Sequence, residues 1–165
     1  MIRSLLFACL LALGAAAWAD DELPSSAPLF AASLWDTEDR PAALERYRGQ
    51  PLVVNFWASW CGPCRQEIPE LIQLRKAARG KIEVIGIGLE DKPDAVKEFA
   101  KAYDMDYPLL LAKDKGIDLM RALGNTLAGL PFTLVIDRGG RVVSKKLGVL
   151  RRAGLDAAAT AVLKK

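Results

Sequence analysis

Six consecutive residues, Leu52-Val53-Val54-Asn55-Phe56-Trp57, are almost all apolar and rich in β-formers. After Ala58-Ser59-Trp60 they run into Cys61-Gly62-Pro63-Cys64. A strand with no polar alternation is buried on both faces, so the chain must fold with layers above and below it. Pro63 suits the first turn of a helix, and Ile68, Leu71, Ile72 and Leu74 recur at helical spacing. The pattern predicts a helix from Pro63 to Ala78 that Gly80 ends. Ile82 to Leu89 predicts a second buried strand, and Pro93 to Tyr103 a helix with Val96, Phe99 and Ala100 turned inward. The unit is a βαβ pattern around a central strand.

The remaining segments complete a mixed sheet with helices on both faces, an α/β fold. Pro108 to Leu111 reads as a short strand and Lys115 to Leu123 as a helix. Thr133 to Asp137 and Val142 to Leu147 read as strands joined at Arg138-Gly139-Gly140, and Leu150 to Leu163 as a closing helix. Upstream, Leu29 to Trp35 reads as extended. A turn-rich stretch with Asp36, Asp39 and Pro41 follows, then one helical turn over Leu44 to Tyr47, stopped by Gly49-Gln50-Pro51. With 165 residues, 52% of them hydrophobic, one domain can bury its own core.

The first residues read as an export signal. Arg3 is the positive n-region, Leu5 to Ala17 the apolar stretch, and Ala17-Trp18-Ala19 a small-x-small cleavage site before Asp20. Cleavage is expected after Ala19, because the apolar run falls short of the roughly 20 residues a spanning helix needs. An uncleaved membrane anchor is the alternative. Residues 20–28, with Pro24, Ser25, Ser26 and Pro28, read as a flexible leader, and the domain as 29–165. Cys9 sits inside the apolar stretch and leaves with the signal.

The mature chain then keeps only Cys61 and Cys64. A structural disulfide gains most by closing a long loop, whereas this loop is minimal, so the spacing suits redox chemistry. The pair lies where a central strand meets its helix, a position at which open α/β sheets expose functional groups. A helix N-terminus offers unpaired N–H groups and partial positive charge, which favour a thiolate at Cys61. Cys61 is therefore the expected nucleophile and Cys64 the resolving thiol. Gly62 permits close approach of another chain, and Pro63 fixes the first turn. Half a zinc knuckle is the competing reading, but such a site wants four thiolate or imidazole ligands. An inert buried pair is the other, set aside because one turn of helix should not hide both sulfurs.

Histidine is absent, which removes the usual general base and metal ligand and with them zinc hydrolases and Ser-His or Cys-His nucleophiles. No metal and no cofactor are expected. Lysine and arginine exceed aspartate and glutamate by only 23 to 20, too little for a nucleic-acid partner. Lys145, Lys146, Arg151 and Arg152 read as a solvated edge. Trp57 reads as core and Trp60 as a cover over the disulfide.

Asn55-Phe56-Trp57-Ala58-Ser59-Trp60-Cys61-Gly62-Pro63-Cys64-Arg65-Gln66-Glu67-Ile68-Pro69, with Gly129-Leu130-Pro131-Phe132-Thr133-Leu134-Val135-Ile136-Asp137, resembles the TlpA/ResA/CcmG group of thioredoxin-like proteins. The resemblance spans nearly the whole mature chain. It implies a thioredoxin-like fold with a helical insertion, here Pro93 to Tyr103, and an exported, periplasmic thiol-disulfide oxidoreductase, usually a reductant. Client proteins of the group include apocytochrome c and copper-site assembly proteins. The resemblance also implies that Leu130-Pro131 is a cis-proline loop facing the cysteines, where substrate backbone adds as a strand. Trp60, Gly62, Pro63, Leu130 and Pro131 are thus the expected substrate-binding residues. Glu67 matches a glutamate that modulates the thiols, although Glu67 and Glu70 would equally suit an exposed first turn. Beside the thiols, its carboxyl would be shielded and titrate upward. Asn55 replaces the buried aspartate of thioredoxins proper, which leaves Glu67 as the acid-base candidate.

The expected partners are disulfide-containing exported clients and a DsbD/CcdA-like membrane thiol donor, with the chain itself a monomer. A DsbA-like oxidant uses the same two cysteines. Thioredoxin at about −270 mV and DsbA at about −120 mV differ by roughly 7 kcal/mol, and Gly62-Pro63 matches thioredoxin's dipeptide. A copper(I) carrier is the binding-class alternative, weakened by the missing histidine.

Overall fold

The computed structural model describes residues 23–90 and 92–163. The signal segment, its cleavage site after Ala19, Cys9 and the first residues of the leader lie outside the described residues. In chain order the elements are α1 (Ala27–Phe30), β1 (Leu34–Asp36), β2 (Pro41–Ala42), β3 (Leu52–Trp57), α2 (Gly62–Ala78), β4 (Glu83–Gly88), α3 (Pro93–Ala102), β5 (Leu109–Leu111), α4 (Gly116–Ala122), β6 (Phe132–Ile136), β7 (Val142–Leu147) and α5 (Arg152–Leu163). A 3-10 turn over Leu44–Tyr47 precedes β3, and another over Lys113–Lys115 leads into α4.

Among the described residues one seven-stranded sheet runs in the order β2-β1-β5-β4-β3-β6-β7. β3 is parallel to β4 and antiparallel to β6, so it lies inside the sheet with every residue buried. This is the thioredoxin-like mixed sheet with helices on both faces. Successive residues of β3 feed opposite layers. Val54 and Phe56 join Leu29, Leu44, Met120 and Leu123 on one face. Val53 joins Ile68, Leu71, Leu74, Leu155 and Val162 on the other, beneath α2 and α5. A third cluster, Trp57, Ala58, Cys61, Cys64, Val96 and Leu111, closes the end of the sheet where β3 delivers the cysteines.

The helical insertion is present as α3 between β4 and β5. It stacks Phe99 on Trp57, with ring centroids 5.0 Å apart, and Tyr103 on Phe99 at 4.4 Å. Two expectations upstream are corrected. Residues Leu29 and Phe30 are helical rather than extended, because Pro28 fits a first helical turn and the Ser26 carbonyl accepts both their N–H groups. Packing also begins at Ser26, inside the stretch read as leader. Its hydroxyl donates to the Gly140 carbonyl and the residue is buried. The β1–β2 hairpin extends the sheet by pairing antiparallel to β5. Among the described residues no helix is long and apolar enough to cross a membrane.

Candidate active site

Cys61 is the N-cap of α2, extended at ψ 102°, and Pro63 occupies the first turn, where its missing N–H costs nothing. Cys61 and Cys64 are joined as a disulfide with Cα atoms 5.3 Å apart. The Cys64 backbone N–H donates to Cys61 Sγ at 3.2 Å, so one orphan donor of the helix start points at this sulfur. That contact and the positive end of the helix would both stabilise negative charge on Cys61.

Burial departs from the expectation that both sulfurs could not be hidden. Cys61 is only 5% exposed and Cys64 1%. The cover comes from outside α2. Val96 of α3, Leu111 of β5 and the partly buried Leu130 pack with Trp57 around the pair. Trp57 is core, but Trp60 is 72% exposed and projects from the surface instead of sealing the disulfide. Gly62 is half-buried and Pro63 exposed.

The Leu130–Pro131 peptide bond is cis. The Pro131 carbonyl accepts the Gly148 N–H at 2.8 Å, which ties this loop to the end of β7. Upstream, the buried Asn125 amide clasps the same loop: Nδ2 donates to the Gly129 carbonyl at 2.8 Å and Oδ1 accepts the Gly129 N–H at 3.3 Å. Pro131 is buried and Leu130 half-buried.

Glu67, one turn beyond Cys64 on α2, is fully buried. Its Oε1 accepts from Asn55 Nδ2 at 2.6 Å and its Oε2 from the Leu150 N–H at 2.8 Å. Asn55 Nδ2 also donates to Thr133 Oγ1 at 3.0 Å. The carboxyl of Glu67 thus hangs in a buried polar network spanning β3, β6 and the approach to α5. Burial pushes its pKa up from 4.5 to about 7, against the lowering pull of the Leu150 N–H and the Asn55 amide. Asn55 is therefore the neutral donor that the Glu67 carboxylate requires. The exposed-surface alternative for Glu67 does not hold. Burial, then the Glu67 charge, pushes the Tyr107 hydroxyl up.

Sequence reasoning did not find Thr133, the Leu150 N–H, Asn125 or Glu90, whose carboxylate accepts the Ser59 N–H two residues before Cys61. The partners of these contacts are 4 to 83 residues apart in the chain, and only the Gly-rich run around Asn125 carried a local signal. The basic edge is partly paired: Arg152 meets Asp156 at 2.9 Å and Gln73 at 3.2 Å. Among the described residues no cluster of three or more His, Cys, Asp or Glu is arranged to hold a metal.

Comparison with known proteins agrees with this geometry. The family model described as Redoxin matches residues 19–163. The thiol-disulfide oxidoreductase ResA of Bacillus thuringiensis subsp. konkukian is 31% identical over 136 residues, 82% of this chain and 75% of that protein. The thiol:disulfide interchange protein HelX of Rhodobacter capsulatus is 39% identical over 102 residues, 62% of this chain and 54% of that protein. The crystal structure of a thioredoxin-related protein from Neisseria meningitidis serogroup B superposes with a TM-score of 0.70 at 30% identity, covering 80% of this chain and 99% of that one. A Cys-x-x-Cys pair closed as a disulfide at the head of α2, a cis-proline loop and these relatives together make the chain a thiol-disulfide oxidoreductase of the ResA type, and it belongs to the Redoxin family.

Proposed function

We propose that the chain works outside the cytoplasm as a dithiol reductase of client proteins. The observation that carries the exchange chemistry is the Cys64 N–H aimed at Cys61 Sγ, 3.2 Å away at the start of α2, which marks Cys61 as the attacking sulfur. The reducing direction is supported by the Gly62-Pro63 dipeptide and the likeness to ResA. In the reduced state the Cys61 thiolate attacks one sulfur of a client disulfide. That S–S bond breaks, a Cys61–client disulfide forms, and the departing client thiolate takes up a proton. Cys64 then loses its proton and attacks Cys61 Sγ, which releases the second client sulfur. The client gains two electrons and two protons, and Cys61–Cys64 is left oxidised. A DsbD/CcdA-like membrane thiol donor returns the electrons.

Client backbone adds along the cis Leu130–Pro131 loop, with Trp60, Gly62 and Pro63 supplying the contacts from the head of α2. The exposure of Trp60 supports its making contact with clients. Glu67 modulates the thiols from within. Ionised, it opposes a second negative charge nearby and restrains indiscriminate exchange. Clients carrying paired cysteines, such as apocytochrome c and copper-site assembly proteins, suit the likeness to ResA and HelX. Residues 1–19 act as the signal, a short leader follows, and the thioredoxin-like domain works as a periplasmic monomer.

A Cys64→Ser variant tests the reading, since it can form the mixed disulfide but not resolve it. Expressed with its native signal, it should accumulate disulfide-linked client complexes that thiol reductant dissolves. Absence of such complexes, with Cys61 still alkylatable, would refute a client reductase. Equilibration of the wild type with glutathione sets the direction. A potential near −270 mV fits a reductant and one near −120 mV a DsbA-like oxidant.

A further inference from the structure

The loop from Ala58 to Trp60, which delivers Cys61 to α2, is held by two side chains of opposite charge. Glu90, just past the end of β4, accepts the Ser59 backbone N–H on Oε1. Arg65 Nη1 reaches the Ser59 carbonyl at 3.4 Å. The loop is a tight turn in which the Cys61 N–H donates to the Ala58 carbonyl at 3.1 Å, so displacement of Ser59 is passed to Cys61. Glu90 is itself fixed by its neighbour, because the Leu89 N–H continues the ladder to the Trp57 carbonyl at 3.1 Å.

The other oxygen of Glu90, Oε2, is buried without a hydrogen-bond partner among the described residues. It occupies room left by Gly88, where an added Cβ would stand 3.0 Å from Oε2 and 3.7 Å from the Trp57 ring. Glutamine would hold the Ser59 N–H through its carbonyl and leave a neutral NH2, in place of a charged oxygen, without a partner at that position, at lower cost. The unmatched oxygen therefore points to a use for the charge itself.

We propose that Glu90 is a positioning residue for the dithiol, one that pins the Ser59 backbone and keeps a negative charge on the loop that delivers Cys61, which holds the pair to the reducing side. The inference rests on the reductase reading above. A carboxylate held on the backbone two residues before the attacking cysteine disfavours its thiolate, which withholds stabilisation from the reduced form and lowers the potential. Arg65, which reaches the carbonyl of Ser59 in the next peptide unit, acts in the other direction.

Wild type, Glu90→Gln and Glu90→Ala are each equilibrated with reduced and oxidised glutathione, acid-quenched, alkylated and weighed. Thiolate absorbance of the reduced proteins is then followed against pH. Glu90→Gln should shift the glutathione equilibrium three- to tenfold toward the dithiol, tenfold being about 30 mV. Its Cys61 should also titrate lower, with the oxidised protein at least as stable to heat as the wild type. Glu90→Ala should show the same redox shift with a lowered melting temperature. Exchange by the wild type is read first: its absence overturns the reductase reading and this inference with it. Normal wild-type exchange beside an unshifted or oppositely shifted Glu90→Gln overturns this inference alone, leaving Glu90 a neutral strut.

Discussion

Glu67→Gln should make the oxidised protein more stable relative to wild type as the pH rises. In the fold the carboxyl titrates at about 7 instead of 4.5 because burial disfavours its charge. Well below 4.5 it is protonated in both folded and unfolded chains and contributes no pH dependence. Between 4.5 and 7 the unfolded chain loses the proton first, so the folded state binds more protons and stability falls with rising pH. Above 7 the loss is complete. At 1.36 kcal/mol per pH unit, the rise to about 7 amounts to about 3 kcal/mol. Glutamine escapes this loss and can keep the network. Its carbonyl accepts the Leu150 N–H, and its amide donates to Asn55 once the Asn55 side chain flips. The Thr133 hydroxyl can then donate to the flipped Asn55 oxygen. Urea unfolding of both proteins at pH 4 and pH 8, with the disulfide intact, measures the difference. Wild type should lose about 3 kcal/mol more than Glu67→Gln between those two pH values. Parallel losses would refute the reasoning, since a buried carboxyl held neutral at low pH and charged at high pH must separate the two curves.

Limiting iodoacetamide at neutral pH should label Cys61 before Cys64 in the reduced protein, in keeping with the helix-start N–H at Cys61 Sγ and its greater exposure. Preferential labelling of Cys64, read by peptide mapping, would reverse the two roles. The exported protein should have the intact mass of a chain beginning at Asp20. A mass retaining Met1 to Ala19 would instead mean an anchored N-terminus.

The local features of this chain were legible because their causes are local. A six-residue run that is apolar except for Asn55, rich in β-formers and preceded by Gly49-Gln50-Pro51, reads as an inner strand, which located β3. Helical spacing after Pro63 placed α2 to within one residue, Gly62 to Ala78. Cys61 and Cys64 could be read as an exchange pair from their position at that junction, and Leu130–Pro131 as a cis-proline loop from the motif around it. What no local pattern carries is which distant groups meet. Glu67 could have stood on the solvent face of α2 by spacing alone. It is buried because the Leu150 N–H, 83 residues on, and Asn55, 12 residues back, converge to satisfy its two oxygens. The cover over the cysteines likewise comes from α3, β5 and Leu130, while Trp60 stands in solvent. Backbone propensity and hydrophobic period act over a few residues and are written in the sequence. Desolvation and the pairing of buried polar groups depend on every layer at once, so only the tertiary structure decides the charge environment of the thiols.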